Sequence, residues 1–184
     1  MKSLSTLLVL CFLCVPVLHA GEWGGSKEFQ VRLSDGRILS YREYGNPGGR
    51  LVLWFHGLNS SCRAPQLIEN EIRQSGLRVI SIDRPGIGKS SFQRKRKILD
   101  WIDDVEEFTR AMGHHGRFGI IATSGGSPYG CATAIAFPHR VTHLALVSPY
   151  APFDAPGIEP GNARATIRLI SNHPNLAKVM INNV

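Results

Sequence analysis

Five consecutive apolar residues, Leu51-Val52-Leu53-Trp54-Phe55, constrain this chain more than any other segment. Strand side chains alternate between the two faces of a sheet, so a run with no polar position must be covered on both sides. A strand inside a parallel sheet, with helices packed above and below, meets that demand. Further strands are read at Leu77-Arg78-Val79-Ile80-Ser81-Ile82, at the apolar Phe118 to Ala122 and at Val141 to Val147. Helical patterns separate them. Pro65 to Gln74 would turn Leu67, Ile68 and Ile72 inward, with Gly76 ending the helix. Asp100 can cap a second helix that buries Trp101, Ile102, Val105, Phe108 and Met112 and closes at Gly113. Ser124 to Phe137, rich in Gly, Ala and Thr, reads as a third helix lying close on the sheet. The alternation predicts an α/β fold with a mostly parallel sheet and right-handed crossovers.

The sheet is predicted to begin differently. Phe29 to Leu33 alternates apolar and polar residues, Ser34-Asp35-Gly36-Arg37 supplies turn chemistry, and Ile38 to Tyr44 resumes a strand pattern. These two runs form an antiparallel hairpin ahead of the parallel strands. Residues 1–20 have another character: Lys2, an apolar run from Leu7 to Leu18, and Ala20 before Gly21 make the pattern of a secretory signal peptide and predict export, to the periplasm or the medium. The run is shorter than the roughly 20 residues of a spanning helix, so no stable membrane span is expected after cleavage. A buried helix, an anchor, or lipidation at Cys14, which follows Leu13 where a small residue would be needed, are the competing readings.

With 184 residues, 43% of them hydrophobic, the chain can build one domain with a full core. The reading divides it into a signal at 1–20, a folded region at 21–151, and a segment at 152–184 where Pro, Gly and Asn accumulate and only Ala163 to Ile170 looks helical. Once Cys11 and Cys14 leave with the signal, Cys62 and Cys131 are too few for a disulfide framework. No metal-ligand spacing is visible, and neither metal nor cofactor is expected. The net charge of +7 owes much to Arg94-Lys95-Arg96-Lys97, read here as a solvated loop. Nucleic-acid or anionic-membrane binding is the functional alternative, but the run has neither interleaved aromatics nor a recognition motif, so no nucleic-acid partner is expected and the solvated loop is preferred.

The chemistry concentrates at Ala122-Thr123-Ser124-Gly125-Gly126, between a predicted strand and a predicted helix. A serine on such a sharp turn is held in a strained backbone conformation, and its neighbours two before and two after must be small, as Ala122 and Gly126 are. This turn would present Ser124 as a nucleophile, aim the Gly125 N–H at an oxyanion and direct the positive end of the following helix there. Ser127 is the rival serine, but Pro128 and Tyr129 after it break the small-residue rule. A nucleotide-binding reading of Gly88-Lys89-Ser90 fails, because Asp83 stands where a P-loop needs glycine.

From about Phe29 to Ala151 the chain resembles the α/β-hydrolase superfamily. Phe55-His56-Gly57-Leu58 is similar to the His-Gly turn after that family's third strand, which implies that the Leu58 N–H completes the oxyanion hole. Asp83-Arg84-Pro85-Gly86-Ile87-Gly88-Lys89-Ser90 resembles the Asp-x-x-Gly-x-Gly-x-Ser loop after the fourth strand, read as structural. Ser124-Gly125-Gly126-Ser127-Pro128-Tyr129 resembles the elbow of a bacterial subgroup with Ser-Gly-Gly-Gly-Pro-Tyr; Ala122 replaces the usual glycine.

The resemblance implies a serine hydrolase, most simply esterase-like, acting on a small-molecule ester or amide. Peptidase, thioesterase and acyltransferase chemistry stay open, whereas the dehalogenase and epoxide hydrolase relatives use aspartate as nucleophile. It also implies an acid after a seventh strand and a histidine after an eighth, and the sequence ends in what resembles the start of a cap region, 152–184. The chain is therefore expected to be C-terminally truncated. Asp154 and His173 keep the required order of Ser, acid, His, although Asn172-His173-Pro174 is a helix-breaking context with no strand to position the ring. His56, His114, His115, His139 and His143 are not placed as bases. An inactive fragment or a binding module on the same scaffold is the alternative, and no oligomeric state is readable.

Overall fold

The computed structural model describes residues 27–150. The proposed signal at 1–20, the helix at Ala163–Ile170, the cap segment at 152–184, Asp154 and His173 lie outside the described residues.

Six strands form one sheet: β1 Glu28–Arg32, β2 Ile38–Gly45, β3 Leu51–Phe55, β4 Arg78–Ile82, β5 Phe118–Thr123 and β6 Val141–Val147. Their spatial order is β1-β2-β4-β3-β5-β6. The hairpin forms as predicted, with Phe29 opposite Tyr41 and Val31 opposite Leu39. β2 also runs antiparallel to β4, while β4, β3, β5 and β6 are mutually parallel.

β3 lies inside the parallel part, and its uninterrupted apolar run is explained by what covers it. Leu51, Leu53 and Phe55 join a core with Leu39, Ile80, Ile82, Phe118 and Ile120, closed by Trp101, Val105 and Phe108 of α2 (Asp100–Ala111). Trp54 points to the other face, where it meets Tyr44, Val79 and Ile72 of α1 (Glu69–Gln74). Helices thus cover both faces. Fully burying one such aliphatic or aromatic side chain is worth about 1.5–3 kcal/mol, so the pattern in this one strand commits the chain to a three-layer arrangement.

Two of the helix readings need correction. The segment from Pro65 to Gln74 is not one helix but a 3₁₀ turn, Ala64–Ile68, followed by α1. Leu67 and Ile68 are therefore not inward; Leu67 is 90% exposed and Ile68 is exposed, and only Ile72 reaches the core. The tighter 3₁₀ winding breaks the 3.6-residue phase on which the inward reading rested. Asp100 does not cap α2. It is the helix's first residue, and its Oδ2 accepts from Lys97 N–H at 2.9 Å in the preceding turn. Within α2 Ile102 is half-buried, while buried Asp104, unforeseen, accepts two hydrogen bonds from Arg37 at 2.6 and 3.1 Å. Gly113 does close the helix, in the left-handed conformation at φ +67°.

The helix read as Ser124 to Phe137 begins with a 3₁₀ turn, Ser124–Gly126, and continues as α3, Ser127–Ala136. Its small residues bring it onto the sheet: a Cβ on Gly130 would lie 2.6 Å from Ala122 Cβ. Cys62 is buried and Cys131 half-buried, both as free thiols. Among the described residues no helix is long and apolar enough to cross a membrane.

Candidate active site

Ser124 sits where β5 ends and α3 is about to begin, with φ +47°. A non-glycine residue in this region is strained by about 1–2 kcal/mol and persists only where packing over-determines it. The packing here comes from Gly126: a Cβ at that position would run into the carbonyl oxygens of Phe55 and His56 at the end of β3. No larger residue lets the turn lie so close to β3.

That approach joins two loops. A Cβ on Gly125 would lie 2.5 Å from Leu58 Cγ and 3.0 Å from Leu58 N, and a Cβ on Gly57 would lie 3.9 Å from Ser124 Oγ. The sequence-predicted residues Ser124, Gly125 and Leu58 therefore share one small site at the C-terminal ends of β3 and β5. Leu58 N–H donates to no acceptor among the described residues. Ser127, by contrast, is buried and spends its hydroxyl on Ser124 O at 2.7 Å.

The residue that orders this site and escaped the sequence reading is Arg84. It is only 3% exposed, and its two terminal nitrogens donate to consecutive carbonyls, Nη1 to His56 O and Nη2 to Gly57 O at 2.8 Å. His56 is buried too, and its Nδ1 lies 2.8 Å from the same Gly57 oxygen while Nε2 accepts from Arg84 N–H at 3.3 Å. These contacts fix the tautomer, with the proton on Nδ1. In a trans peptide the carbonyl oxygen and the following N–H point in opposite directions. Anchoring Gly57 O therefore turns Leu58 N–H the other way, and two donors on that oxygen polarise the peptide and strengthen the N–H.

Burial, together with the neighbouring Arg84 charge, pushes His56 down to about 3, so its ring stays neutral across the physiological range. Burial also draws Arg84 down to about 10, which leaves it charged at neutral pH. Arg84 is stacked 4.9 Å from the Tyr129 ring centre, with Arg96 5.1 Å from it and donating to the Tyr129 hydroxyl at 2.8 Å. Arg96 is thus only half-buried and turned in, not a fully solvated member of the basic run. The signal for Arg84 was its position: an arginine between a buried strand and Pro85 has little route to water.

Next to this site, the loop at Asp83–Ser90 behaves as its motif predicts. Asp83 Oδ2 accepts from Ser40 Oγ at 2.8 Å and Oδ1 from Cys62 N–H at 2.6 Å; Ser90 Oγ donates to Asp83 O and accepts from Ser40 N–H. A Cβ on Gly88, at φ +54°, would collide with the Asp83 carboxylate. A cavity of about 680 Å³ opens beside it, lined by residues that include Ser60, Cys62, Asp83 and Lys89 and that do not include Ser124. Burial pushes the Cys62 thiol up, which keeps it protonated and unreactive.

No described histidine hydrogen-bonds to Ser124: His56 is held as above, His114 faces Arg117 O at 3.2 Å, and His139 and His143 are exposed. Among the described residues no group of three or more His, Cys, Asp or Glu could hold a metal.

This sheet order, with a strained serine at the strand-to-helix turn, defines the class, and the sequence agrees. The profile of the alpha/beta hydrolase fold matches residues 50–169, and the chain belongs to that family. No curated protein sequence matches it significantly. Similar solved structures include an epoxide hydrolase, CorEH, at 21% identity and TM-score 0.69, covering 87% of this chain and 56% of that one. A hydrolase from Pseudomonas aeruginosa PA01 has 22% identity and TM-score 0.64, covering 79% and 52%. A membrane phospholipase A, described as a bacterial virulence factor, has 21% identity and TM-score 0.64, covering 77% and 46%. At such identities the likeness establishes the fold. The chain spans about half the length of these proteins.

Proposed function

We propose that the chain carries the nucleophile and oxyanion site of a serine hydrolase acting on a small ester or amide. The observation that carries this reading is Ser124 at φ +47°, packed beside the N–H groups of Leu58 and Gly125. Ser124 Oγ attacks the substrate carbonyl carbon, forming an O–C bond and a tetrahedral oxyanion that Leu58 N–H and Gly125 N–H stabilise. The serine proton passes to a base and on to the departing alcohol or amine as its bond to the acyl carbon breaks. Water then cleaves the acyl-Ser124 ester. Arg84 acts as a positioning residue, holding Leu58 N–H through the Gly57 peptide. Asp154 and His173 are the candidates within this chain for acid and base. Residues 1–20 would direct export, and an N-terminus beginning at Gly21 in secreted material is the outcome that supports this.

The test is labelling of the purified chain with a fluorophosphonate probe, beside Ser124→Ala and His173→Gln. Labelling that is lost in both variants supports Ser124 with His173 as its base. Labelling lost only in Ser124→Ala keeps the nucleophile and removes His173. Absence of labelling in a folded chain favours the second reading, a non-catalytic scaffold, which the lack of any described histidine at Ser124 supports.

A further inference from the structure

The segment joining β4 to α2 carries Phe92-Gln93-Arg94-Lys95-Arg96-Lys97-Ile98-Leu99. A solvated basic loop explains its charges but not its apolar residues. Phe92 is 78% exposed, Leu99 65%, and Ile98 is exposed as well. These three flank Arg94, Lys95 and Lys97, all exposed and without a carboxylate partner among the described residues. Exposed large apolar side chains bracketing a cation cluster are the composition that anionic lipid surfaces select, since the cations meet headgroup phosphate and carboxylate while the apolar tips enter the acyl boundary.

The segment is also pinned in shape. Ser91 pairs with Ile38 through both its N–H and its hydroxyl, at 2.8 and 2.9 Å. Arg37 donates to Gln93 Oε1 at 3.1 Å, Arg96 is held on Tyr129, and Lys97 N–H is held by Asp100. With one arginine turned inward as an anchor, the other three cations are left outward. A held surface gives up less conformational freedom on docking than a loose one.

We propose that this segment is a peripheral docking surface for anionic lipid membranes. It leaves the C-terminal end of β4, and Arg96 fastens it to Tyr129, five residues after Ser124. A membrane held there faces the end of the sheet that carries the strained serine. The inference does not depend on catalysis, because docking requires no reaction.

The test is sedimentation of the full chain with vesicles of phosphatidylcholine alone or mixed with phosphatidylserine. Binding is expected to the mixed vesicles and to fall steeply with added salt. Each cation near an anionic surface contributes about fivefold, so Arg94→Gln/Lys95→Gln/Lys97→Gln lowers partitioning about a hundredfold. Phe92→Ser/Leu99→Ser lowers it at least about tenfold with the charge unchanged. All substituted side chains are outward, and circular dichroism of each variant verifies the fold. Three outcomes overturn the proposal: no binding of the folded chain to mixed vesicles, binding that neither variant reduces, or loss only in the cation variant with equal affinity for duplex nucleic acid, which would make the surface a general polyanion site.

Discussion

The turns that follow β4 and β5 leave the same end of the sheet, on either side of β3, and both are built from glycine and serine. They differ in where their polar atoms go. After β4, the side chains of Asp83, Ser90 and Ser91 are bonded into the protein, to Ser40, Cys62 and Ile38. After β5, the chain adopts φ +47° at a serine whose hydroxyl has no partner among the described residues, facing a loop whose Leu58 N–H is equally free. Satisfied polar groups fasten a loop, whereas strained and unsatisfied ones are held ready for something else. Ser40 and Arg84 serve the two in parallel: one ties down the first turn, the other aims the peptide beside the second.

The sharpest way to break this contrast is to remove the structural side. Asp83→Ala leaves the buried Cys62 N–H without its acceptor and the Ser40 hydroxyl with only the 3.4 Å contact to Ser90 Oγ, and should cost about 2–5 kcal/mol, read as a lowered midpoint in chemical denaturation. A change under about 0.5 kcal/mol would mean the loop is not fastened as described. Arg84→Met tests the other side. It should slow fluorophosphonate labelling about a hundredfold, the order expected for losing one oxyanion donor, with Arg84→Lys recovering part of the rate by holding one carbonyl. Equal loss in both variants would reduce Arg84 to a packing role.

Acid acts on the turn after β3, which lies between these two. His56 falls from its ordinary 6.5 to about 3 in the fold, so between those values the unfolded chain takes up a proton that the folded one refuses. Stability from this group is complete above pH 6.5 and declines as pH falls, by up to about 1.4 kcal/mol per pH unit. His56→Gln should flatten that slope in denaturation series from pH 7 to 4. The smallest effect is at Ser124→Gly, where relief of about 1–2 kcal/mol of left-handed strain is partly offset by glycine's freedom in the unfolded chain, which costs about 0.5–1 kcal/mol. The result is a net gain of under about 1 kcal/mol, measured as a raised midpoint. A loss of about 0.5–1 kcal/mol would show that the turn stores no strain.

Most of the sheet was legible because strand patterns act within a few residues: β3 matches its continuous apolar run and is covered on both faces, and β6 forms over Val141 to Val147 although most of its residues are exposed. The elbow was legible for the same reason, since small residues around a serine are a local requirement. What escaped were partnerships across the chain. Arg84 holding His56 and Gly57, Arg37 bonding Asp104, and the Arg96–Tyr129 anchor join residues 27 to 67 positions apart, and no spacing in the sequence announces them. Leu67 turns outward because the 3₁₀ turn Ala64–Ile68 shifts the phase of its helix, which the spacing of apolar residues does not announce.

The strand order carries a consequence for how the chain is made. β3 finds its neighbours in β4 and β5, both of which follow it in the sequence. A nascent chain synthesised from its N-terminus therefore exposes Leu51 to Phe55 with neither flank available, and β3 is closed on both sides only after Thr123 has been added. At about 5–20 residues per second that interval lasts several seconds, long enough for a chaperone to hold the strand before the sheet closes over it.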